Sequence, residues 1–301
     1  MPSSSTPSDV MDSTVDVNAE RHAPVCAAGP SVPTCGAMAD LSLTVDDRVA
    51  VLTFERADAR NRLSRALMES LLGACRDLAD RDDVWVVVLQ GRGRDFSTGV
   101  DLADPAHAAA AGAPLGARRR LLRLGPDLVD AIQDLPQTTV AAVQGYCLGG
   151  GGCLALACDL RVAAADLRFG MPEVARGMNM SWHSVALMVA HFGPARTKEL
   201  LVTGRLLDAT TAEQWGLANR LTAAGEDAVQ QAALTWAREI ADTVPPIPAA
   251  MVKETVNAIA NLATPLLHMD RDQFILAQTS EDTREALLAF RAKRRPKFTG
   301  R

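Results

Sequence analysis

Four consecutive glycines, Gly149 to Gly152, follow the apolar run TTVAAVQG (138–145) and lead into CLALAC (153–158), with no charge before Asp159. Glycine lets a backbone approach a ligand closely, and a helix starting there leaves its first N–H groups without partners. Such groups favour negative charge, either a fixed anion or a charge that develops during reaction. A phosphate loop would continue with Lys and Ser/Thr after the glycines. A dinucleotide site would place its glycines by the first strand, with an acid about 20 residues on. The chain does neither. Tight helix packing accounts for the run equally well. A second turn, DFSTGVDL (95–102), also follows an apolar strand-like run, WVVVLQG (85–91), at the end where open α/β sheets bind ligands. Together, FSTGVDL (96–102) and QGYCLGGGGC (144–153) can aim two backbone donors at one carbonyl oxygen, the arrangement that stabilises an oxyanion.

The elements that must hold these turns follow from periodicity. LSLTV and RVAVLTF alternate about Asp46-Asp47, a hairpin signal. Ser64 is placed to cap the amphipathic segment RALMESLLGACRDLAD, which runs into WVVVLQG. The rhythm continues with a helix around 117–134, the strand 138–145, a helix from about Gly150 and the short strand LRVAAA (160–165). Alternation of this kind predicts an α/β fold with a mainly parallel sheet covered by helices. Beyond about residue 180 the pattern predicts helices only, over 181–192, 195–203, 211–217, 228–242, 248–262 and 268–292.

Bulk properties narrow the function. The 301-residue chain is 48% hydrophobic, enough for a sizeable core, and its net charge of −5 is spread without a basic face or a polybasic block. Nucleic acid and membrane surfaces are therefore not expected partners. No apolar stretch approaches the ~20 residues of a membrane helix. Six cysteines show neither a disulfide framework nor paired metal-site spacing, which fits a reducing cytoplasm and no metal. Residues 1–37 lack hydrophobic periodicity and are expected to be a disordered extension, without signal-peptide or transit-peptide character.

Six segments, in order, resemble the crotonase superfamily, the enoyl-CoA hydratase/isomerase family. They are RxDxRNRL (56–63), GxGxDFSTGVDL (91–102), QGYCLGGGGCLALACDLRVA (144–163), FGMPEV (169–174), ARTKELLVTGRLLDATTAEQWGLANRL (195–221) and FRAKRRPKFTGR (290–301). The resemblance implies a crotonase-like fold of repeated ββα units over 38–205 and a C-terminal helical trimerisation region over 206–301. It implies a homotrimer or homohexamer acting on an acyl-CoA thioester, with no separate cofactor.

It also implies residue roles. The oxyanion donors would be the N–H groups of Thr98 and Gly150, with Gly99, Asp101 and Gly149 beside them in the substrate-binding turns. Asp101 and Asp159 match positions expected to cap and anchor loops. Family hydratases use two glutamates; Cys153 stands at the first position and Glu173 at the second. One carboxylate is enough to take a proton from C2 of a 3-enoyl thioester and return it at C4, so the sequence points to an isomerase, with a 2-enoyl-CoA hydratase or a non-catalytic acyl-CoA binder as alternatives. Where the family has glycines, Ser181, Trp182, His183 and Ser184 make a bulkier acyl-pocket wall. Arg60, Arg92 and Arg94 are candidate contacts for coenzyme A phosphates, and Phe290 and Lys293 of the tail for a neighbouring subunit's coenzyme. Cys153 is expected to pack as a neutral side chain, and His107 to sit in an Ala-rich lid, DPAHAAAAGAP (104–114).

Overall fold

The computed structural model describes residues 40–260 and 267–300; the extension expected at 1–37 lies outside them. β1 (Leu41–Asp46) and β2 (Val49–Phe54) form the expected antiparallel hairpin, with Asp47 at positive φ in its turn. α1 (Arg65–Ala79) follows, and Ser64 caps it by accepting from Leu67 N. Then come β3 (Val86–Gly91), α2 (Pro105–Gly112), α3 (Leu115–Leu121), α4 (Leu124–Gln133), β4 (Thr138–Val143), β5 (Tyr146–Leu148), α5 (Gly150–Ala157), β6 (Leu160–Ala164) and β7 (Arg168–Gly170). The chain continues through α6 (Ser184–Thr203), β8 (Leu207–Asp208), α7 (Ala209–Gln214), β9 (Arg220–Thr222), α8 (Glu226–Thr243), α9 (Pro246–Ala260), α10 (Leu267–Ala277) and α11 (Glu281–Arg291).

A six-stranded sheet runs β1-β2-β3-β4-β6-β9, parallel from β2 onward, and a three-stranded sheet runs β5-β7-β8. Each repeat adds a strand to the large sheet, a short strand to the small one, and a helix, as in β4-β5-α5 and β6-β7-α6. Side chains on β3 alternate. Val87 and Leu89 enter the main core with α1, α4 and α5, whereas Val86 and Val88 meet Val229, Ala233, Ala237 and Ala241 of α8. Burial on both faces explains why these strands read as unbroken apolar runs.

The C-terminal third departs from the helices-only expectation. β8 and β9 are two and three residues long, too short to leave a period-two signal, yet both pair with core strands. They and α8 belong to the folded core, so the expected division at 205/206 does not mark its edge. The expected helices at 117–134 and 268–292 are each broken in two, the second where Ser280 caps a new start by accepting from Thr283 N. α6 begins at Ser184 rather than 181 because Trp182 and His183 adopt left-handed φ, and it kinks at Gly193-Pro194. No helix among the described residues is long and apolar enough to cross a membrane.

Candidate active site

The turn after β3 is stitched to its neighbours by backbone bonds. Phe96 N donates to Gln144 O, Ser97 N to Tyr146 O, and Leu148 N to Ser97 O. Asn61, fully buried, donates through its side-chain amide to Arg92 O and Asp95 O, and Asp95 accepts from Tyr146 N at 2.8 Å and Arg60 Nε at 2.7 Å. These bonds fix the direction of each N–H in 96–101.

Thr98 N donates to Arg60 O at 3.2 Å. It is spent, which corrects the expectation that it is an oxyanion donor. Leu63 bonds the flanking groups, Leu63 N to Gly99 O and Asp101 N to Leu63 O, so Val100 turns its N–H to the side away from Leu63. That N–H has no acceptor among the described residues. Gly150, the first residue of α5, likewise has none. The two turns touch: a Cβ on Gly99 would lie 2.9 Å from Leu148 O and 3.6 Å from Gly150 N, and Gly99 has φ +88. Only glycine allows this approach. Both readings of the glycine run hold, at different residues, since Gly151 and Gly152 pack against Ser97 and Met171 while Gly150 keeps a free donor.

Both turns open on a cavity of about 140 Å³ that Glu173 and Trp182 also line. Glu173 follows Pro172 and starts the 3-10 turn Val174–Arg176. The residue is half-buried, but its Oε2 is fully buried and has no hydrogen-bond partner. Burial pushes its pKa from 4.5 up to about 7, against smaller lowering effects from its own backbone N–H and Arg176. The loop is held from the C-terminal side, where the Thr283 hydroxyl of α11 bonds Gly177 O and Arg176 stacks on Phe290 at 5.1 Å.

Two other carboxylates line the cavity, and both are committed. Asp101 pairs with Arg56 at 3.2 Å and accepts from Ala103 N; Asp104 accepts from Arg65 N and Ala106 N. Cys153 is buried and lines the cavity where a second glutamate would stand. His107 lines it too, from helix α2, and burial lowers its pKa below the usual histidine value, so the imidazole is neutral at pH 7.

Of the residues read from sequence, Thr98, Gly99, Asp101, Gly149, Gly150, Glu173 and Trp182 meet at this cavity. Arg60, Arg94, Phe290 and Lys293 do not line it. Arg60 is tied to buried Asp95 and stacks over Tyr146 at 4.7 Å, which makes it a brace rather than a free cation. Arg94 is largely exposed, 3.3 Å from Asp95, and Arg92 pairs with Glu55. Phe290 is exposed except for its contact with Arg176, and Lys293 is exposed with left-handed φ. Sequence reasoning missed Val100, whose donor direction depends on pairing with Leu63. Among the described residues, no three His, Cys, Asp or Glu side chains are grouped to hold a metal.

The chain is similar to known proteins. A family model described as enoyl-CoA hydratase/isomerase matches residues 44–301. A probable enoyl-CoA hydratase of Mycobacterium tuberculosis is 33% identical over 264 residues, 85% of this chain and 96% of that protein. A putative enoyl-CoA hydratase of Thermus thermophilus is 37% identical over 257 residues, 83% of this chain and 97% of that one. The crystal structure of an enoyl-CoA hydratase from Mycobacterium avium subsp. paratuberculosis superposes with a TM-score of 0.76 at 28% identity, covering 87% of this chain and all of that one. With the strand-end turns, the fold and this match along nearly the whole described chain, the protein belongs to the enoyl-CoA hydratase/isomerase family.

Proposed function

We propose that the protein moves the double bond of a 3-enoyl-CoA thioester to the 2-position. The thioester oxygen accepts from Val100 N–H and Gly150 N–H, and Glu173 takes a proton from C2. The electrons pass into the dienolate, held as an oxyanion by the two donors, and Glu173 returns the proton at C4. The net change is a shifted double bond with no atoms added. Two donors of this kind serve the charge only as it develops, and one is worth about 3 kcal/mol.

One observation carries the choice of reaction. Among the carboxylates lining the cavity, Glu173 alone has a buried oxygen without a partner, and its pKa of about 7 suits a group that gives and takes a proton near neutrality. A 2-enoyl-CoA hydratase is the second reading, favoured by the names of the relatives. In that case His107, which also lines the cavity, is the group that would hold the water. Offering the protein 3-enoyl-CoA and 2-enoyl-CoA separately and following the conjugated thioester absorbance tests the choice. Absorbance that rises with the 3-enoyl substrate supports the isomerase; loss only with the 2-enoyl substrate replaces it with the hydratase.

Self-association belongs to the same proposal. Ile247, Met251, Val252, Val256 and Ile259 leave a stripe of α9 more than half exposed, the kind of face that a homotrimer or homohexamer would cover. Sedimentation of a single monomeric species would remove this part.

A further inference from the structure

The wall beside the Gly150 donor is built around one side chain. Trp182 and His183 are consecutive residues with φ +63 and +57, a conformation that bulky L residues avoid. Two contacts hold them there. His183 Nδ1 lies 3.0 Å from Asp130 Oδ1 on α4, and Ser184 N donates to Ser181 O at 3.2 Å. The bend lays the Trp182 ring on the backbone of α4: a Cβ on Gly125 would come within 2.0 Å of Cε2 and 2.1 Å of Nε1. At its far edge the ring reaches the oxyanion glycine, since a Cβ on Gly150 would be 3.0 Å from Cη2. The indole therefore spans the gap from α4 to the start of α5, beside the atoms that would polarise the thioester.

We infer that Trp182 is the residue that limits the acyl group, closing the pocket so that the site takes compact acyl chains of about six carbons or fewer. The inference rests on the thioester reading above and adds the substrate class. Its size comes from the cavity. At about 140 Å³, it matches an apolar cavity of about 150 Å³ that accommodates benzene. Gly125 and Gly150 leave no side chain to yield in the ring's place, and the Asp130–His183 contact opposes its swinging out.

Binding of saturated acyl-CoA thioesters, from acetyl to decanoyl, tests this without turnover. In the wild type, affinity should rise about fourfold for each added methylene up to roughly hexanoyl and then stop. In Trp182→Ala the rise should continue to octanoyl or decanoyl, and in Trp182→Phe, a milder change that keeps an aromatic ring in the wall, by one or two methylenes. A wild type whose affinity keeps rising through decanoyl overturns the size limit. A plateau at hexanoyl in both variants overturns Trp182 as its cause. Failure of every thioester to bind overturns the thioester reading and this inference with it, while size selection without any double-bond shift leaves the inference standing and removes only the proposed reaction.

Discussion

The two sides of the cavity are built in different ways. On the donor side, backbone bonds tie the turn from Phe96 to Asp101 to its neighbours, and the N–H groups of Val100 and of the first turn of α5, Gly150 included, are left without an acceptor among the described residues. On the opposite side, from Pro172 to His183, the chain holds a buried carboxylate oxygen without a partner and two bulky residues at left-handed φ. In the proposed reaction the first side supplies generic chemistry, polarisation of a carbonyl by peptide groups, and the second selects the proton that moves and, by the Trp182 inference, the acyl group that fits. A site divided in this way can change reaction or substrate by altering the second side while the sheets keep the first in register.

The largest expected effect breaks the second side alone. Glu173→Gln keeps shape and removes the base, so turnover should fall roughly 10²- to 10⁴-fold with thioester binding kept. Turnover near wild type would dismiss Glu173 as the proton carrier. Because its folded pKa is about 7, kcat/KM for the 3-enoyl substrate should rise with pH through that value as the base ionises. The donor side breaks only through the backbone. Gly99→Ala forces a Cβ to 2.9 Å from Leu148 O at φ +88 and spreads the two turns, so kcat/KM should drop about 10²- to 10³-fold. If steady-state kinetics of the folded variant match wild type, the paired donors are not the catalytic device.

How much of this contrast was legible in the sequence follows the same division. The donor side rests on local signals: apolar runs ending in glycine turns, and Ser64 placed before an amphipathic helix, all of which appear where expected. What stayed hidden depends on contacts distant in sequence. Val100 rather than Thr98 carries the open N–H because Arg60 O captures one and Leu63 turns the other outward. Arg60 looked like a phosphate contact, yet buried Asp95, 35 positions away, claims its guanidinium. α8 read as part of a C-terminal helical region because the pattern beyond about residue 180 is helical only, whereas Val229, Ala233, Ala237 and Ala241 are buried against Val and Ala side chains of the sheet, a contact that helical periodicity does not reveal.

A stability measurement sharpens the comparison from the second side. The Glu173 pKa is raised from 4.5 in the unfolded chain to about 7 in the fold, so between these values the native state holds a proton that the unfolded state releases. Native stability is therefore lost as pH rises from about 4.5 to about 7, by about 3 kcal/mol in total from this group. Glu173→Gln has nothing to ionise there. Its Tm should exceed that of wild type at pH 8 and converge with it below pH 4.5, and equal Tm values at pH 8 would show that the carboxyl is not desolvated as described.

The smallest effect concerns the brace behind the donor side. Asp95 is 1% exposed and makes three bonds to two segments: it accepts from Tyr146 N at the start of β5, and from Arg60 Nε and, through its backbone oxygen, the Asn61 amide in the first motif. Asp95→Asn keeps the size and one acceptor oxygen but removes the charge. The Arg60 side chain is 42% exposed, so water screens much of what that ion pair contributes, and the greater loss comes from the weakened bond to Tyr146 N. The expected cost is about 2 kcal/mol of unfolding free energy, measurable in urea, with the pH dependence of turnover unchanged. A shift of the pH profile toward a different pKa would mean that Asp95 acts on Glu173 across the cavity, and the two sides would then be electrostatically coupled rather than separately built.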